Sequence, residues 1–373
     1  MTPSFDVAVI GGGIAGLAHA WMAARRGLRV LVLERTVAAE GASIRNFGMV
    51  WPIGQPAGEL HRVALRARDF WLELGSLGVL PVEPCGSIHL AHRDDEAAVL
   101  EEFCGLQTHR VRMLTPAEVL KYTPLANADG LQAGMHSSAE LRVDPRIASR
   151  RIAAWLAETQ GVECQFGGAV TAIDDRVVHA SDGRTWRAER VIICSGSDLQ
   201  TLFPAVFAQS GLRLCKLQML KAAAQAAPIA GTPHLASGLT LRHYSAFANC
   251  QSLARVQTRV EQETPELNRF GIHVMASATA AGEVILGDSH EYGDDIAPFD
   301  KAEIDDLILR ESRRVFRLDN WNLSQRWHGV YAKHPQLPVF EHTVADGVHL
   351  FVGLGGAGMT MSFGLAERAW QRW

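Results

Sequence analysis

The sequence predicts an α/β plus α+β protein, in which a discontinuous Rossmann-like nucleotide-binding domain is joined to a second domain built on an antiparallel sheet. Three observations predict this fold class. The chain opens with an apolar strand that enters a glycine turn, a second apolar strand at 190–193 ends near Gly196, and a third at 348–352 enters a glycine-rich junction. Strands that end at glycines are typical of parallel sheets that bind nucleotides at their carboxyl edge.

The first element is a dinucleotide-binding unit. Residues 5–10 are apolar, the turn 11–16 has the pattern GxGxxG, and a second strand ends at Glu34. A pyrophosphate needs bare backbone N–H groups at a helix N-terminus. A carboxylate at the end of the second strand accepts hydrogen bonds from the ribose hydroxyls and repels a 2′-phosphate. The ligand is therefore FAD or NAD rather than NADP. The turn supplies five predicted contacts: Gly11, Gly13, Ile14, Ala15 and Gly16.

The remaining elements follow from hydrophobic spacing. Helices are predicted at 59–74, 145–159 and 300–316, and Asp144 before Pro145 is a helix N-cap. The middle of the chain alternates like an antiparallel sheet, with strands at 213–220, 271–277 and 283–288. Residues 222–241 contain two prolines and are expected to be irregular. The domain boundaries are predicted as 1–80, 141–211 and 323–373 for the nucleotide domain, and 81–140 and 212–322 for the substrate domain.

Composition limits the function classes. The net charge is −4 and 47% of residues are hydrophobic, so the sequence offers no global attraction for nucleic acid. Six cysteines occur without a CxxC pair, and no basic and apolar leader precedes the first strand. We therefore expect a cytoplasmic protein with reduced cysteines and no membrane span.

The ordered motifs resemble the D-amino-acid oxidase superfamily of FAD oxidoreductases, which includes glycine oxidase and sarcosine oxidase. The resemblance rests on the GxGxxG turn with Glu34, the Ser-Ile-Arg-Asn loop at 43–46, the strand ending at 193–196 and the sequence GLGGAGMT at 353–360. A narrower likeness comes from the strings at 45–56, 216–220 and 287–293. They resemble the phosphonate-associated branch, which oxidises 2-aminoethylphosphonate or its N-methyl form.

The resemblance implies hydride transfer from the carbon that bears nitrogen to flavin N5, followed by hydrolysis of an imine. It implies cofactor contacts beyond the first turn: Glu34, Arg35, Ser43, Arg45, Asn46, Phe47, Gly48, Val170, Ser195, Gly196, Gly353, Gly355, Gly356, Gly358, Met359 and Thr360. Sarcosine oxidases attach flavin to a cysteine in the last third of the chain. No cysteine follows Cys250, so FAD is expected to be non-covalent.

An anionic amine substrate needs converging cations and hydroxyls from the second domain. The candidates are Lys216, Gln218, Arg242, His243, Tyr244, His273, Tyr331 and Lys333. Lys333 or Lys216 is also the candidate for the cation that activates oxygen. No metal is predicted, because no HxxH, HxH or CxxC pair accompanies Asp288 and His290.

Three alternatives remain open at this point. One is an oxidase of glycine, sarcosine or D-amino acids within the same superfamily. Another is an FAD-binding module that exchanges electrons with a protein partner, and the third is a dehydrogenase that uses NAD alone. Neither the electron acceptor, oxygen or another, nor the oligomeric state follows from the sequence.

Overall fold

The structure is a computed structural model and describes residues 2–373. Within that range the chain forms ten α-helices. They are α1 (Ile14–Ala24), α2 (Glu59–Ser76), α3 (Asp94–Gly105), α4 (Pro116–Tyr122), α5 (Pro145–Thr159), α6 (Pro204–Gln209), α7 (Leu253–Glu263), α8 (Pro265–Arg269), α9 (Ala302–Val315) and α10 (Gly358–Arg372).

The same residues form twenty strands. They are β1 (Ser4–Ile10), β2 (Val30–Glu34), β3 (Met49–Val50), β4 (Val82–Glu83), β5 (Ser87–Ala91), β6 (Val111–Leu114), β7 (Ala133–Ser137), β8 (Leu141–Val143), β9 (Glu163–Phe166), β10 (Val170–Asp174), β11 (Val177–Ala180), β12 (Thr185–Ile193), β13 (Arg213–Ala222), β14 (His234–Ser237), β15 (Met275–Ala278), β16 (Val284–Gly287), β17 (Glu291–Gly293), β18 (Leu323–Lys333), β19 (Phe340–Ala345) and β20 (Val348–Val352).

The first sheet contains the strand that enters the first glycine turn. Its centre is parallel in the order β20, β12, β1, β2 and β9, and the strands β10, β11 and β19 add antiparallel pairs at its margins. Helices α1, α2, α5 and α10 pack their apolar faces together on one side. Since β1, β2, β12 and β20 are parallel, the residues that follow them meet at one edge of the sheet.

The second sheet is built mainly from the predicted substrate domain. Its strands run in the order β17, β13, β16, β15, β14, β5, β7 and β6, and β18 pairs with β13 along its length. Neighbouring strands are antiparallel except for the parallel pair β14 and β5. Residues 323–333 therefore belong to this sheet, whereas the sequence-based boundaries placed them with the nucleotide domain. The short strands β3, β8 and β4 form a third sheet.

The predicted fold class is confirmed, and the differences are local. The Asp144 carboxylate accepts the backbone N–H of Arg146 as the predicted cap of α5. Residues 222–241, expected to be irregular, contain β14, whose pairing with β5 and β15 overrides the weak local pattern. Helices α3 and α7 were not predicted. None of the helices in residues 2–373 is long and apolar enough to cross a membrane.

Candidate active site

The first glycine turn leaves no room for side chains. Gly11 has φ of +111°, and a Cβ on it would clash with the carbonyl oxygen of Cys194 at the end of β12. A Cβ on Gly16 would likewise clash with the carbonyl oxygen of Gly11. The turn is therefore held against β12 on one side and against α1 on the other, as a close approach of phosphate to backbone requires.

Hydrogen bonds orient this turn. The Gly12 N–H donates to Glu34 Oε2 at 2.7 Å, and the Ile14 N–H donates to Ser43 Oγ at 3.0 Å. In the part of the chain that the structure describes, the N–H groups of Gly13 and Ala15 have no acceptor. They lie at the N-terminus of α1, where the helix dipole favours an anion.

The loop that follows Glu34 is fixed by Asn46. Its side-chain amide donates to the carbonyls of Ala42 and Ser43 at 2.9 and 3.0 Å, and its Oδ1 accepts the Gly48 N–H at 2.8 Å. The structure thus uses the Asn46 side chain to shape the loop. The neighbouring Phe47 ring lies against Gly287 of β16, which connects this loop to the second sheet.

The predicted adenosine end is also assembled at the sheet edge. Val170 is buried at the start of β10. The Ser195 hydroxyl, just beyond β12, is buried and has no hydrogen-bond partner within residues 2–373. Nearby, Arg35 and Asp198 form an ion pair at 2.9 Å. An orphaned hydroxyl beside the turn is what a bound polar ligand would satisfy.

The C-terminal glycine junction adjoins the first turn. A Cβ on Gly358, the first residue of α10, would lie 3.8 Å from Cγ2 of Ile14 at the start of α1. On the opposite side, a Cβ added to Gly355 would lie 3.2 Å from the Lys333 side chain. A Cβ added to Gly356 would lie 3.4 Å from the Tyr331 hydroxyl. The N-termini of α1 and α10 and the end of β18 therefore enclose one concave space, which we call the cradle.

Three further contacts support α10 and the loop before α2. The indole N–H of Trp71 donates to the Met359 carbonyl at 2.8 Å, and Thr360 Oγ1 accepts the Trp51 N–H at 2.9 Å. The buried Glu140 carboxylate accepts the Ile53 N–H at 3.1 Å. Burial raises the pKa of Glu140 above its ordinary value. Glu140 was not predicted, because it is remote in sequence from both glycine junctions.

These features fit FAD. The bare turn suits a pyrophosphate, Glu34 suits a ribose, and the second junction offers backbone N–H groups where a flavin ring would develop negative charge. The profile of the FAD dependent oxidoreductase family, DAO, matches residues 6–372. The chain belongs to this family. Its cofactor is FAD, and the absence of a cysteine after Cys250 agrees with non-covalent attachment.

The chain is also similar to individual proteins in sequence and in structure. The chain is 28% identical to glycine oxidase of Geobacillus kaustophilus (strain HTA426) over 211 residues, which span 53% of this chain and 56% of that protein. The crystal structure of glycine oxidase from Geobacillus kaustophilus has a TM-score of 0.75 at 20% identity, covering 98% of this chain and 95% of that one. The crystal structure of L-proline dehydrogenase from P. horikoshii has a TM-score of 0.76 at 18% identity, covering 98% of this chain and 92% of that one. The two structural likenesses establish the shared fold.

The predicted substrate residues separate into groups. Tyr331 and Lys333 border the cradle, and Lys333 Nζ donates to the Tyr292 hydroxyl at 3.3 Å. Burial raises the pKa of both Tyr331 and Tyr292 well above the ordinary range, so both are neutral hydrogen-bonding groups. Lys333 forms no ion pair with a carboxylate in residues 2–373. Its charge is therefore available at the edge of the cradle.

Lys216 and Gln218 are engaged elsewhere. Lys216 Nζ donates to the carbonyls of Ala297 and Phe299 and pairs with Asp300 at 2.8 Å. The Gln218 amide bonds to the backbone of Lys301 and to the carboxylate of Asp305. Both side chains hold the segment 297–305 against β13. This arrangement leaves Lys333 as the better placed of the two predicted oxygen-activating cations.

Arg242 is held by hydrogen bonds of its own, whereas the rings of His243 and Tyr244 meet edge to face with their centroids 5.2 Å apart. The Arg242 guanidinium donates to Asn268 Oδ1 and to the Ile272 carbonyl, and burial lowers its pKa to about 10. The Tyr244 ring packs against Gly54, and its hydroxyl lies 3.5 Å from the Met275 sulfur. Their roles in binding an anion remain predictions.

Three of the chain's histidines form a cluster in which His273 and His290 are buried and His243 is half-buried. The ring centroids of His243 and His273 are 4.1 Å apart, and those of His243 and His290 are 4.2 Å apart. Burial lowers the pKa of all three, with that of His290 at about 4, and burial raises the pKa of Asp288 beside them. The sequence pattern did not connect these residues, because they come from three separate segments.

Proposed function

We propose that this chain oxidises a small amine with an anionic far end, and that the substrate is 2-aminoethylphosphonate or its N-methyl form, which would yield phosphonoacetaldehyde. The observation that carries the proposal is the position of Lys333. Its aliphatic stem packs against Gly355, and its ammonium has no carboxylate partner in the described chain and donates a hydrogen bond to the Tyr292 hydroxyl. The branch-like strings of the sequence support the phosphonate.

In this proposal Lys333 and the Tyr292 hydroxyl bind the anionic end through charge-assisted hydrogen bonds. The Tyr331 side chain, 7% exposed, excludes water from the wall of the cradle beside Gly356. When bound, FAD accepts the hydride from the carbon that bears nitrogen. The protein's contribution is to place that carbon and to bind the amine in its neutral form.

A second candidate is the oxidation of glycine, sarcosine or a D-amino acid. It is favoured by the 28% identity to a glycine oxidase. A carboxylate could use the same ammonium and hydroxyl, so Lys333 supports both candidates. The two differ in the size and charge of the anionic group.

Anaerobic reduction of the purified holoenzyme distinguishes them. The panel is 2-aminoethylphosphonate, its N-methyl form, glycine, sarcosine and D-alanine, each followed by the loss of flavin absorbance. Fast bleaching by either phosphonate supports the proposal, and bleaching by the amino acids alone refutes it. A flavin that no amine reduces but that exchanges electrons with a protein partner would identify an electron-transfer module instead. Re-oxidation with air then shows whether oxygen is the acceptor.

The six cysteines are all unpaired in residues 2–373. Three of them, Cys194, Cys215 and Cys250, are buried, where burial raises the thiol pKa and suppresses reactivity. We take this as support for a reducing compartment, and cytoplasmic localisation forms part of the proposal.

A further inference from the structure

Four side chains from three segments meet behind the Tyr292 and Lys333 pair. His243 follows the turn Gly238–Arg242, His273 precedes β15, and Asp288 and His290 lie between β16 and β17. The Tyr292 ring is 6.4 Å from the ring of His290. The cluster is thus one residue removed from the cradle and is distinct from the FAD contacts.

The potential ligand atoms converge. One ring nitrogen from each of the three histidines lies within 4.8 Å of the others. Asp288 Oδ1 is 3.2 Å from His273 Nε2, and Asp288 Oδ2 is 3.9 Å from His290 Nε2. A zinc ion lies about 2.0–2.2 Å from nitrogen and carboxylate ligands, so one ion can bridge ligand atoms up to about 4.2 Å apart. The two carboxylate separations, which start from different oxygens of Asp288, fall inside that limit, and the histidine nitrogens must approach each other to within the same limit when the ion binds.

The polar atoms of the cluster lack partners in the protein. Both ring nitrogens of His273 and the Asp288 Oδ1 atom are buried, with no hydrogen bond to any residue of 2–373. The side chains of His273 and Asp288 are only 3% and 8% exposed. Buried polar atoms in native proteins are rarely left unpaired, so a missing partner is indicated.

The hydrogen bonding of His290 leaves one of its nitrogens free to bind a ligand. Its Nδ1 lies 3.2 Å from the Gly271 carbonyl oxygen, which can only accept, so Nδ1 carries the proton. The Nε2 lone pair therefore faces the Asp288 carboxylate. A carboxyl group carries at most one proton and can donate to only one of the neighbouring imidazoles, whereas a metal ion accepts electron pairs from the imidazoles and the carboxylate together. A carbonyl that fixes the far nitrogen of a histidine is also the usual arrangement around metal ligands.

The backbone holds three of these residues in register. The His273 N–H donates to the Asp288 carbonyl at 3.3 Å, and the Asp288 N–H donates to the His273 carbonyl at 2.9 Å. The His290 N–H donates to the Phe270 carbonyl at 2.7 Å. The site is therefore built where the start of β15 lies beside the end of β16, and His243 is the ligand that comes from another segment.

We propose that His243, His273, His290 and Asp288 bind one divalent transition-metal ion of the zinc class. Three imidazoles and one carboxylate complete a tetrahedral shell, which is the closed arrangement of a structural ion. The ion ties the turn before His243 to the strand ends at 273 and 288. The proposal is independent of the amine that the enzyme oxidises.

The test is metal analysis of the untagged holoenzyme after exposure to Zn²⁺ and dialysis. We expect one zinc per chain, and a zinc K-edge absorption spectrum with nitrogen and oxygen ligands at about 2.0–2.1 Å and imidazole scattering. The Asp288→Asn variant keeps the volume and loses the charge, and His273→Gln removes one ligand. Each should weaken zinc binding at least about tenfold. The exposed His342→Ala is the matched control and should bind zinc like the wild type.

Chelation should lower the Tm of the wild-type holoenzyme and leave that of His273→Gln unchanged. The proposal is overturned if the wild type retains no zinc, or if both variants bind it as tightly as His342→Ala. It is also overturned if methylphosphonate, rather than zinc, binds with an affinity that His273→Gln abolishes. Because wild-type occupancy is measured directly, a variant that fails to fold does not prevent a decision.

Discussion

The backbone N–H of Trp51 donates to Oγ1 of Thr360 at 2.9 Å, although the two residues are 309 positions apart. Both residues are buried. This single bond joins the loop that covers the first glycine turn to the first turn of α10. The hydroxyl of Thr360 thus adds a specific link to the helix packing that already joins these two distant parts of the predicted cofactor site.

Replacing that hydroxyl gives the first prediction. Thr360→Val keeps the shape and leaves the Trp51 N–H buried without an acceptor, which costs about 1–3 kcal/mol. We expect this loss in the free energy of unfolding of the holoenzyme in urea. Thr360→Ser retains the acceptor and should lose much less. Equal stability of the Val and Ser variants would show that the bond is unimportant.

The second prediction concerns the first turn. Gly11→Ala places a methyl group against the Cys194 carbonyl at a positive φ, so the turn must distort and FAD binding should be lost. FAD content per chain, from the visible and ultraviolet absorbance, measures this. Gly41→Ala is the matched control, because its Cβ meets nothing within 4 Å and its φ is −77°. A Gly11→Ala protein with full FAD content would contradict the assignment.

The third prediction separates the two possible roles of Lys333. If Lys333→Met removes a charge-assisted hydrogen bond to the substrate, kcat/KM for the anionic amine falls by about ten- to two-hundredfold. If the ammonium serves oxygen, anaerobic reduction is unchanged and re-oxidation by air slows. Stopped-flow measurement of the two half-reactions tells them apart. Lys121→Met, at an exposed site in α4, should change neither.

The fourth prediction is a pH dependence of stability. Burial lowers the pKa of His19, His89 and His234 to about 3 from 6.5. The unfolded chain therefore binds more protons than the folded one between these values, and stability is lost as the pH falls below 6.5. Each histidine contributes up to about 1.4 kcal/mol per pH unit. Urea unfolding between pH 7 and 5 measures the slope.

His19→Leu provides the test of that slope. The His19 ring packs edge-on against Phe351 with the centroids 4.3 Å apart, and neither ring nitrogen has a partner in the described chain. Replacing His19 by Leu should lower the slope of the free energy of unfolding against pH by the contribution of one proton, whatever the effect on absolute stability. An unchanged slope would show that His19 is protonated in the folded state.

Much of the cofactor site could be read from the sequence because it is made of backbone. Gly11 and Gly16 are required by local geometry and close approach, and such requirements leave glycines at fixed spacing. The Asp144 cap was equally local and was predicted. In contrast, β14 was missed, because its pairing with β5 and β15 depends on strands remote in sequence.

The substrate side could not be read in this way. Lys216 and Lys333 were equivalent candidates, and only the packing of residues 297–300 onto β13 shows that the Lys216 charge is occupied. Likewise, His243, His273 and His290 have no spacing that marks them as partners. Their side chains meet because the turn after β14 and the ends of β15 and β16 lie side by side.

The sequence by itself determined the family and its FAD cofactor, and it predicted the residues of the FAD site, since turns and helix N-termini are specified by neighbouring residues. Only the tertiary structure decided which charged and polar side chains share a site. That outcome depends on strand pairing between distant segments, and no local rule of spacing encodes it. The glycine turns could therefore be predicted from the sequence, and the histidine cluster with Asp288 could not.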